Sequence, residues 1–302
     1  MSQIKEWLNA IRLRTLPLAL ASIGLGSFLA AFEDKFRWSV LLLSGLTTIC
    51  LQILSNLAND YGDSKHGADH EGREGPQRAV QSGKISPKSM KIAIGLFIGL
   101  SLISGLSLLF VSISGFSMQF ILLFAIGMIA IGAALNYTMG KNPYGYTGFG
   151  DLFVILFFGF IGVLGTYFCH TGSFSFQALL PAFSCGLLST AVLNVNNIRD
   201  IASDKKAGKM SIPVRIGRKN AIIYHWILII VAITSTLVFV IIQYQSPLQF
   251  LFLITTPLLF FNGYKVASTH ESKKLDPFLK QMAISTLLFI LTFGIGNLIV
   301  EL

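Results

Sequence analysis

Two pairs of acidic and amide side chains recur in this sequence, and the members of each pair stand four residues apart. Asn59 and Asp63 form one pair, and Asp200 and Asp204 form the other. In a helix, residues four apart lie on one face, about 6 Å from each other along the axis. Two such faces that met would form an oxygen-rich group, in which carboxylates repel one another unless they share cations. The pattern favours a divalent metal site.

The two pairs belong to an internal repeat. The segments NLANDYGDSKHG, from Asn56, and NIRDIASDKKAG, from Asn197, share the pattern Asn-x-x-(Asn/Asp)-x-x-x-Asp-x-Lys-x-Gly. A Pro-x-Arg sequence follows each segment and ends at Arg78 and at Arg215. We therefore expect the two copies to converge, with Arg78 and Arg215 approaching the shared space from opposite sides.

The oxygen donors of the repeat are those that Mg²⁺ prefers. This ion binds through a few carboxylates and through phosphate oxygens of a substrate, whereas the spacing here lacks the alternating acids and final Glu of an EF-hand. The alternative to a metal site is that these acids cap helix ends. Capping needs one residue per helix end, whereas five of the 14 acids of the chain lie in these two clusters, so a metal site is favoured. The predicted metal ligands are Asn59, Asp60, Asp63, Asp69, Asp200 and Asp204.

Basic residues flank the acids, as a bound diphosphate would require for neutralisation of its remaining charge. Three tyrosines beside the segment GKNPYGYTGFG, namely Tyr137, Tyr144 and Tyr146, either shield a cation by cation–π contact or belong to the aromatic belt of a membrane interface. The predicted catalytic residues are Asp63, Asp200, Asp204, Lys65, Arg78 and Arg215. The predicted substrate contacts are Asn56, Asn197, Tyr137, Tyr146, Lys141, Lys205 and Lys209.

The segments that must position these residues are strongly apolar. The chain has 302 residues, of which 53% are hydrophobic and 12% charged, a composition typical of membrane proteins. Nine stretches of 17 to 22 residues lack Asp, Glu, Lys and Arg, and each is long enough to cross ~30 Å of hydrocarbon. They are 16–32, 38–57, 92–112, 116–137, 152–168, 176–193, 221–242, 248–264 and 282–300.

Four of these stretches separate the two acidic motifs, so both copies of the repeat point the same way through the membrane. We predict an all-α polytopic membrane protein in which two parallel four-helix repeats and a ninth helix surround a central cavity. The chain, 1–302, would form a single membrane-embedded domain, with repeat halves at about 14–147 and 148–277 and the extra helix at 278–302.

Basic residues also predict the orientation. All of the 23 Lys and Arg residues except Lys35 and Arg37 fall on one side, and loops rich in these residues stay in the cytoplasm. We expect a plasma or inner membrane protein with a cytoplasmic N-terminus, an outer C-terminus and a site facing the cytoplasm. Contact of a basic face with anionic lipid explains the net charge of +9 without a nucleic-acid partner. The more specific alternative is that some of these basic residues form an anion-binding site.

At this point the sequence resembles the UbiA-type intramembrane prenyltransferases over essentially the whole chain. The motifs of that family have the forms Asn-Asp-x-x-Asp and Asp-x-x-x-Asp, which NDYGD at Asn59 and DIASD at Asp200 match. The segments RTLP, NDYGDSKHGAD, GPQRAVQSGKIS and NNIRDIASDKKAGKMSIPVRIG are similar to the members that prenylate 1,4-dihydroxy-2-naphthoate. Two positions depart from the pattern, because Asp69 comes six residues after Asp63 instead of four and Asp151 replaces an expected Glu.

The resemblance implies Mg²⁺-dependent transfer of a polyprenyl group from polyprenyl diphosphate to 1,4-dihydroxy-2-naphthoate, with decarboxylation, to give demethylmenaquinone. Acceptors such as 4-hydroxybenzoate or homogentisate remain the alternative, because the donor chemistry is shared. A long isoprenoid tail favours lipid by ~0.8 kcal/mol per buried CH₂, so a lateral opening between helices is expected. A secondary transporter is a weaker alternative, since transporter sites lie near the midplane.

Overall fold

The computed structural model describes residues 3–66 and 78–299, and within those ranges every regular element is helical. Three short 3₁₀ segments, Leu13–Thr15, Tyr144–Tyr146 and Ser272–Leu275, lie in the connections. The helices are α1 Gln3–Ile11, α2 Leu16–Ala31, α3 Trp38–Lys65, α4 Pro87–Ser112, α5 Met118–Asn136, α6 Gly150–Thr171, α7 Leu179–Arg199, α8 Ile201–Lys206, α9 Ile212–Ile242, α10 Pro247–Ser268 and α11 Asp276–Leu298.

The described helices account for the predicted membrane spans. Eight are long and apolar enough to cross a bilayer, and α1 with α2, joined at a bend of 46°, make up a ninth. The predicted all-α polytopic fold is therefore confirmed. The arrangement is compatible with two four-helix repeats and one extra helix, and this pairing stays a prediction.

Helix boundaries follow local sequence signals. Ser86 and Ser117 cap α4 and α5, because each side-chain oxygen accepts a hydrogen bond from the backbone N–H three residues later. Ser246 and Gln249 form a capping box at the start of α10. Gly217 has a φ of 77° inside α9 and kinks this helix, a conformation that L-residues with a side chain rarely adopt.

Two helices depart from regular α geometry. The first part of α10, Pro247–Thr255, is 3₁₀-helical. Within α6, Ile155–Leu164 forms a π-helical segment between two α-helical ends. The π geometry is rare and occurs frequently at functional sites. The segment packs closely on α7, because a Cβ at Gly159 would lie 2.7 Å from the carbonyl oxygen of Ala182.

The apolar core is divided into two clusters with the molecule's main cavity between them. The first cluster, the N-terminal core, comes mainly from α1, α3, α4 and α5. The second, the C-terminal core, comes mainly from α2, α6, α7, α9, α10 and α11. Representative buried residues are Leu54, Leu57 and Met90 of the N-terminal core and Leu188, Ile229 and Phe252 of the C-terminal core.

Polar side chains inside the helix bundle find partners within it. His225 Nε2 lies 2.9 Å from Asn262 Oδ1, and the Asn262 amide donates to the carbonyl oxygen of Phe278 at 2.8 Å. Gln249 Nε2 donates to Asn297 Oδ1 at 2.9 Å. Unsatisfied polar groups cost several kcal/mol in hydrocarbon, so these bonds fix the relative positions of α9, α10 and α11.

A second polar group holds the molecule together at the end opposite the acidic motifs. The backbone N–H of Arg37, just before α3, donates to His170 Nδ1 at 3.1 Å, and His170 Nε2 lies 2.9 Å from Ser27 Oγ. Because Nδ1 accepts a hydrogen bond, the ring proton of a neutral His170 is on Nε2. The Arg37 guanidinium also donates to the carbonyl oxygens of Cys169 and Val111. This clamp joins the ends of α2, α4 and α6.

Candidate functional site

The last two turns of α3 carry the first acidic motif into the cavity. Asn59 and Asp63 both line it, as their four-residue spacing on one helix face predicts. Thr138 Oγ1, in the connection after α5, donates to Asn59 Oδ1 at 3.1 Å. The close approach needs a glycine, because a Cβ at Gly62 would lie 2.5 Å from the carbonyl oxygen of Thr138.

Asp63 is the centre of the polar end of the cavity. Its side chain is buried, and Arg78 Nη2 donates to Asp63 Oδ2 at 2.9 Å. The Tyr146 hydroxyl donates to the other oxygen, Oδ1, at 3.0 Å. A cation and a neutral donor therefore hold this carboxylate in one orientation.

Asp60 has a different environment from its neighbour Asp63. Its two carboxylate oxygens accept hydrogen bonds from the backbone N–H groups of Ala79 and Val80, at 3.0 and 3.1 Å. These bonds fix the chain directly after Arg78. The sequence predicts Asp60 as a metal ligand, and this role stays a prediction; in the structure both of its oxygens hold the segment that follows Arg78.

Asp200 lies between α7 and α8, and a buried arginine holds it. Arg199 Nε and Nη2 each donate to one Asp200 oxygen at 2.8 Å, and Arg199 Nη1 donates to Asp276 Oδ1 at 2.6 Å. Arg199 and Asp200 are both about 2% exposed. This two-bond geometry is the strong form of the arginine–carboxylate pair. Arg199 therefore joins Asp200, at the end of α7, to Asp276 at the start of α11.

Asp204 is paired with Lys209, and both side chains are buried. Lys209 Nζ lies 3.7 Å from Asp204 Oδ1 and 5.9 Å from the ring centre of Tyr146. Burial acts to lower the pKa of Lys209, but the negative charges of Asp204 and then Asp63 outweigh it and raise that pKa above its usual value. Lys209 therefore stays charged at the point where the two motifs meet.

The cavity continues from this polar end into an apolar space. It has a volume of about 430 Å³, within the range typical of ligand sites. Its polar end contains Asn59, Asp63, Arg78, Asn196 and Lys209. The rest is lined by apolar residues of α2 to α7, which suits a ligand with a charged head and a hydrocarbon tail.

A row of aromatic rings runs along one wall of the cavity. Tyr137 lies 5.3 Å from Tyr144, Tyr144 stacks on Phe153 at 4.0 Å, and Phe153 stacks on Phe157 at 6.0 Å, between ring centres. Burial raises the pKa of Tyr137 and of Tyr144. Both hydroxyls therefore stay neutral at physiological pH, and both rings line the cavity.

The donor atoms at the polar end fit a hard divalent cation. Within residues 3–66 and 78–299, no three His, Cys, Asp or Glu side chains form a preformed metal group. Asn59 and Asp63 nonetheless offer only oxygen donors at the polar end of the cavity, and Asp204 Oδ1 lies 3.7 Å from Lys209 Nζ, which lines the same end. Mg²⁺ commonly uses one or two carboxylates and completes its shell with phosphate oxygens and water, so this donor set fits Mg²⁺ bound together with a phosphorylated ligand.

The other predicted site residues lie at different distances from the cavity. Asn56 and Tyr137 line it, and the Asn56 amide donates to the carbonyl oxygen of Ile11 at 2.9 Å. Asn197 is buried but does not line the cavity. Asp69 falls outside the described residues. The exposed lysines among the predicted residues are Lys65, Lys141 and Lys205.

Arg215 does not occupy the place that the repeat predicts for it. The side chain is exposed, and its guanidinium donates to the carbonyl oxygens of Met210 and Thr147, each at 2.9 Å. These bonds hold two loops together outside the cavity. Lys209, six residues earlier, provides the cation opposite Arg78. The physical reason is the turn after α8, which directs Lys209 inward.

Sequence reasoning missed two buried partnerships. Arg199 is one of the basic residues that indicate orientation, and it also forms an ion pair with Asp200. Its position next to Asp200 in the sequence is the signal that could have indicated this pair. Asp151, on α6, accepts a hydrogen bond from the Tyr224 hydroxyl of α9 at 3.0 Å. No spacing in the sequence connects residues 73 positions apart, so this pair could not have been predicted.

Comparison with known proteins identifies relatives along the whole chain. Residues 19–292 match the sequence model of the UbiA prenyltransferase family. A 1,4-dihydroxy-2-naphthoate octaprenyltransferase of Haemophilus influenzae is 43% identical, over 98% of this chain and 97% of that protein. The enzyme of the same name from Escherichia coli is 39% identical, over 98% of this chain and 96% of that protein.

Solved structures share the fold at low sequence identity. A UbiA homologue from Aeropyrum pernix superposes with a TM-score of 0.70 at 15% identity, over 96% of this chain and 99% of that one. A UbiA homologue from Archaeoglobus fulgidus, bound to GPP and Mg²⁺, has a TM-score of 0.67 at 16% identity, over 97% and 99% of the two chains. The helical architecture is therefore one already seen in experimental structures.

Proposed function

We propose that this chain, which belongs to the UbiA prenyltransferase family, transfers a polyprenyl group from polyprenyl diphosphate to 1,4-dihydroxy-2-naphthoate. Membership of the family makes the protein an intramembrane prenyltransferase. The proposal adds the acceptor, the loss of carbon dioxide, the dependence on Mg²⁺ and the residues that act.

The observation that carries the proposal is the two-part cavity. Its polar end brings Asp63, Arg78 and Lys209 together, and its walls are apolar and aromatic. A polyprenyl diphosphate has the same two parts, a highly charged head and a hydrocarbon chain. The names of the relatives at 43% and 39% identity support the naphthoate as acceptor.

The proposed reaction needs no side-chain nucleophile. The bond between the allylic carbon and the diphosphate oxygen breaks, and the diphosphate leaves with the electron pair. The ring carbon that bears the carboxylate then bonds to the allylic carbon. The bond from that ring carbon to the carboxylate breaks, carbon dioxide leaves, and the released electron pair restores the aromatic ring. The direct product is the hydroquinone, and no proton has to be removed from the attacked carbon.

Residues of this chain stabilise the charges that develop. Arg78 and Lys209 would bind the leaving diphosphate, and the Tyr137 and Tyr144 rings would shield the allylic cation from water. Asn59, Asp63 and Asp204 would hold Mg²⁺, which, when bound, neutralises part of the diphosphate charge. Electrostatic stabilisation and positioning are the largest contributions to such a reaction.

The basic residues support one membrane orientation. We place the acidic motifs and the N-terminus in the cytoplasm of a cell with a plasma or inner membrane, because Lys35 and Arg37 are the exceptions on the other side. A reporter enzyme that is active only outside the cytoplasm, fused to the C-terminus, should then be active. Activity of a cytoplasmic reporter at that end would reverse the orientation.

An acceptor assay tests the proposed function. Purified protein would receive octaprenyl diphosphate and Mg²⁺ with 1,4-dihydroxy-2-naphthoate, 4-hydroxybenzoate or homogentisate, and the product mass would be measured. We expect turnover with the naphthoate, and a product whose mass is lower by one carbon dioxide than that of the prenylated acid. EDTA should abolish the activity, and added Mg²⁺ should restore it. Preferred turnover of another acid, or activity unaffected by chelation, would contradict the acceptor or the metal.

A further inference from the structure

Two lysines of neighbouring helices converge on one buried tyrosine, at the end of the molecule that carries the acidic motifs. Lys65 is the last residue of α3, and Lys91 lies in the second turn of α4. Their ammonium nitrogens lie 5.2 and 5.6 Å from the ring centre of Tyr61, and both interact with its hydroxyl. Tyr61 is only 4% exposed and belongs to the N-terminal core. Packing of this ring therefore fixes the point at which the two positive charges meet.

The two lysines, called the cation pair below, lie outside the cavity. Tyr61 and Lys65 are four residues apart and share one face of α3, whereas Asp63 lies two residues from each, about 200° around the helix axis. Asp63 lines the cavity, but Tyr61, Lys65 and Lys91 do not. The cation pair therefore lies on the opposite side of α3 from the predicted diphosphate position.

The cation pair has no carboxylate partner in the described part of the chain. Nearby, Lys84 pairs with Glu6 at 3.3 Å, but within residues 3–66 and 78–299 neither Lys65 nor Lys91 forms an ion pair. Like charges that share one place repel each other, and an anion between them removes that repulsion. Two ammonium groups and a phenolic hydroxyl all donate hydrogen bonds, and a phosphate accepts them.

The cation pair lies at the depth of lipid headgroups. Both α3 and α4 are long and apolar enough to cross a bilayer, and the two lysines stand at the ends of these helices that face the same side. Lysines at the end of a membrane span place their charge at the interface. Anionic lipids are concentrated around basic groups at that depth, so a lipid phosphate is the anion within reach.

The surface of α4 that follows Lys91 can hold an acyl chain. Gly95 and Gly99 follow Lys91 at four-residue intervals on one face, and a Cβ built at either glycine meets no atom within 4 Å. In the adjacent row, Ile92 is 66% exposed and Leu96 is 59% exposed. The two glycines therefore leave a shallow groove beside an apolar ridge, and the groove begins one turn below Lys91.

Another lysine at the same membrane face lacks these features. Lys265, near the end of α10, lies 5.4 Å from the ring centre of Phe261 and 6.0 Å from that of Tyr264. Both rings are exposed, and among the described residues no second cation lies over them. General attraction of a basic face to anionic lipid acts on Lys265 and Lys91 alike. Convergence of two charges on a buried ring distinguishes the cation pair.

We propose that Lys65, Lys91 and Tyr61 bind the phosphate of an anionic membrane phospholipid, whose acyl chain lies along Gly95 and Gly99. The site is independent of the proposed function, because none of these residues lines the cavity. A headgroup held by both lysines fastens the last turn of α3, which follows the first acidic motif, to the start of α4. Bound lipid should therefore stabilise the native protein.

Thermal unfolding with added lipid tests the site. Purified protein in a neutral detergent would be titrated with phosphatidylglycerol, with phosphatidylcholine of the same acyl chains, or with inorganic phosphate. The rise in unfolding temperature gives an apparent Kd for each. Lys91→Gln removes one charge, Tyr61→Phe removes the hydroxyl, and Lys91→Arg keeps the charge. Lys265→Gln is the matched control, because it removes a lysine that lies over aromatic rings at the same face.

We expect phosphatidylglycerol to stabilise the wild-type protein more than phosphatidylcholine does. Lys91→Gln should raise the apparent Kd for phosphatidylglycerol about fivefold, the effect of one basic residue at an anionic surface. Tyr61→Phe should raise it about two- to tenfold, the effect of one hydrogen bond. Lys91→Arg and Lys265→Gln should leave it nearly unchanged. If Lys91→Gln does not fold, Lys65→Gln takes its place, because it removes the other charge of the cation pair.

Three results would overturn the proposal. Equal stabilisation of the wild-type protein by the two lipids would show that the headgroup charge is not recognised. A loss of affinity in Lys265→Gln as large as that in Lys91→Gln would assign the effect to the whole basic face. Stabilisation by inorganic phosphate that matches the lipid at equal concentration, and that Lys91→Gln also loses, would identify a site for free phosphate instead of a lipid.

Discussion

The Tyr146 hydroxyl donates a hydrogen bond to Asp63 Oδ1 at 3.0 Å, although 83 residues separate them in the chain. The same ring lies 5.9 Å from Lys209 Nζ. Tyr146 therefore contacts both halves of the repeat at once. The loop after α5 sets the position of the first motif relative to the second.

Replacing Tyr146 with Phe should reduce turnover without unfolding the protein. A hydrogen bond to a charged group contributes about 1.5–3 kcal/mol, which corresponds to a loss of roughly tenfold or more in kcat/KM for the prenyl donor. Steady-state kinetics on Tyr146→Phe would measure this. Tyr264→Phe is the control, because Tyr264 is exposed on α10; an equal loss in both variants would argue against a specific role.

Asp63→Ala should reduce turnover much more strongly. The change removes a carboxylate that faces Arg78 and the predicted metal position, so we expect a loss of at least about a hundredfold, as for removal of a key electrostatic group. The control is Asp34→Ala, in the loop at the opposite end of the molecule, which should retain normal activity. Near-normal activity of Asp63→Ala would contradict the assignment of Asp63 as a metal ligand.

Asp60→Asn separates a positioning role from a metal role. The amide N–H₂ would face a backbone N–H of Ala79 or Val80, so we expect the free energy of unfolding to fall by about 1–3 kcal/mol. The Mg²⁺ concentration for half-maximal activity should stay the same. A shifted Mg²⁺ requirement at unchanged thermal stability would instead support the sequence-based prediction that Asp60 is a ligand.

Arg199→Met should destabilise the protein. Removing one partner of a buried ion pair costs about 3–5 kcal/mol, because Asp200 would remain buried beside an apolar side chain. Thermal unfolding would measure the loss. The stability of Arg199→Lys should lie between that of the wild-type protein and that of Arg199→Met, because a lysine keeps the charge but lacks the two-bond geometry. Wild-type stability of Arg199→Met would show that the pair contributes nothing to the fold.

The membrane fold could be predicted from sequence because it depends on long apolar runs. The run before Asn59 becomes a helix that includes both Asn59 and Asp63, as their four-residue spacing indicates. The run before Asp200 becomes a helix that ends at Arg199, and Asp204 lies on the short helix that follows. The first predicted span, 16–32, corresponds to α2, and the bend that joins it to α1 lies before it, near Arg12 with its φ of 55°. A single left-handed residue leaves no periodic signal, so the bend could not be predicted.

Only the part of the site that the internal repeat contains could be predicted from the sequence. The pattern correctly pairs Asn59 with Asp63 on one face that lines the cavity. The structure does not place the two arginines alike: Arg78 lines the cavity, whereas Arg215 bonds to backbone carbonyl oxygens outside it. Side-chain direction after each motif depends on the following turn, and Asp60 holds the chain after Arg78 through Ala79 and Val80. The partnership of Asp200 with Asp276 through Arg199 depends on tertiary packing alone.

The division of the apolar core into two clusters has a thermodynamic consequence. A molecule that binds between the N-terminal core and the C-terminal core contacts both, so it acts as an additional attachment between them. A ligand bound only by the native state raises the unfolding free energy by RT ln(1 + [L]/Kd), or ~2.7 kcal/mol at a hundredfold excess over Kd. Unfolding temperature should therefore rise with the logarithm of ligand concentration, so calorimetry on unlabelled protein can rank donors and acceptors even in variants that no longer turn over.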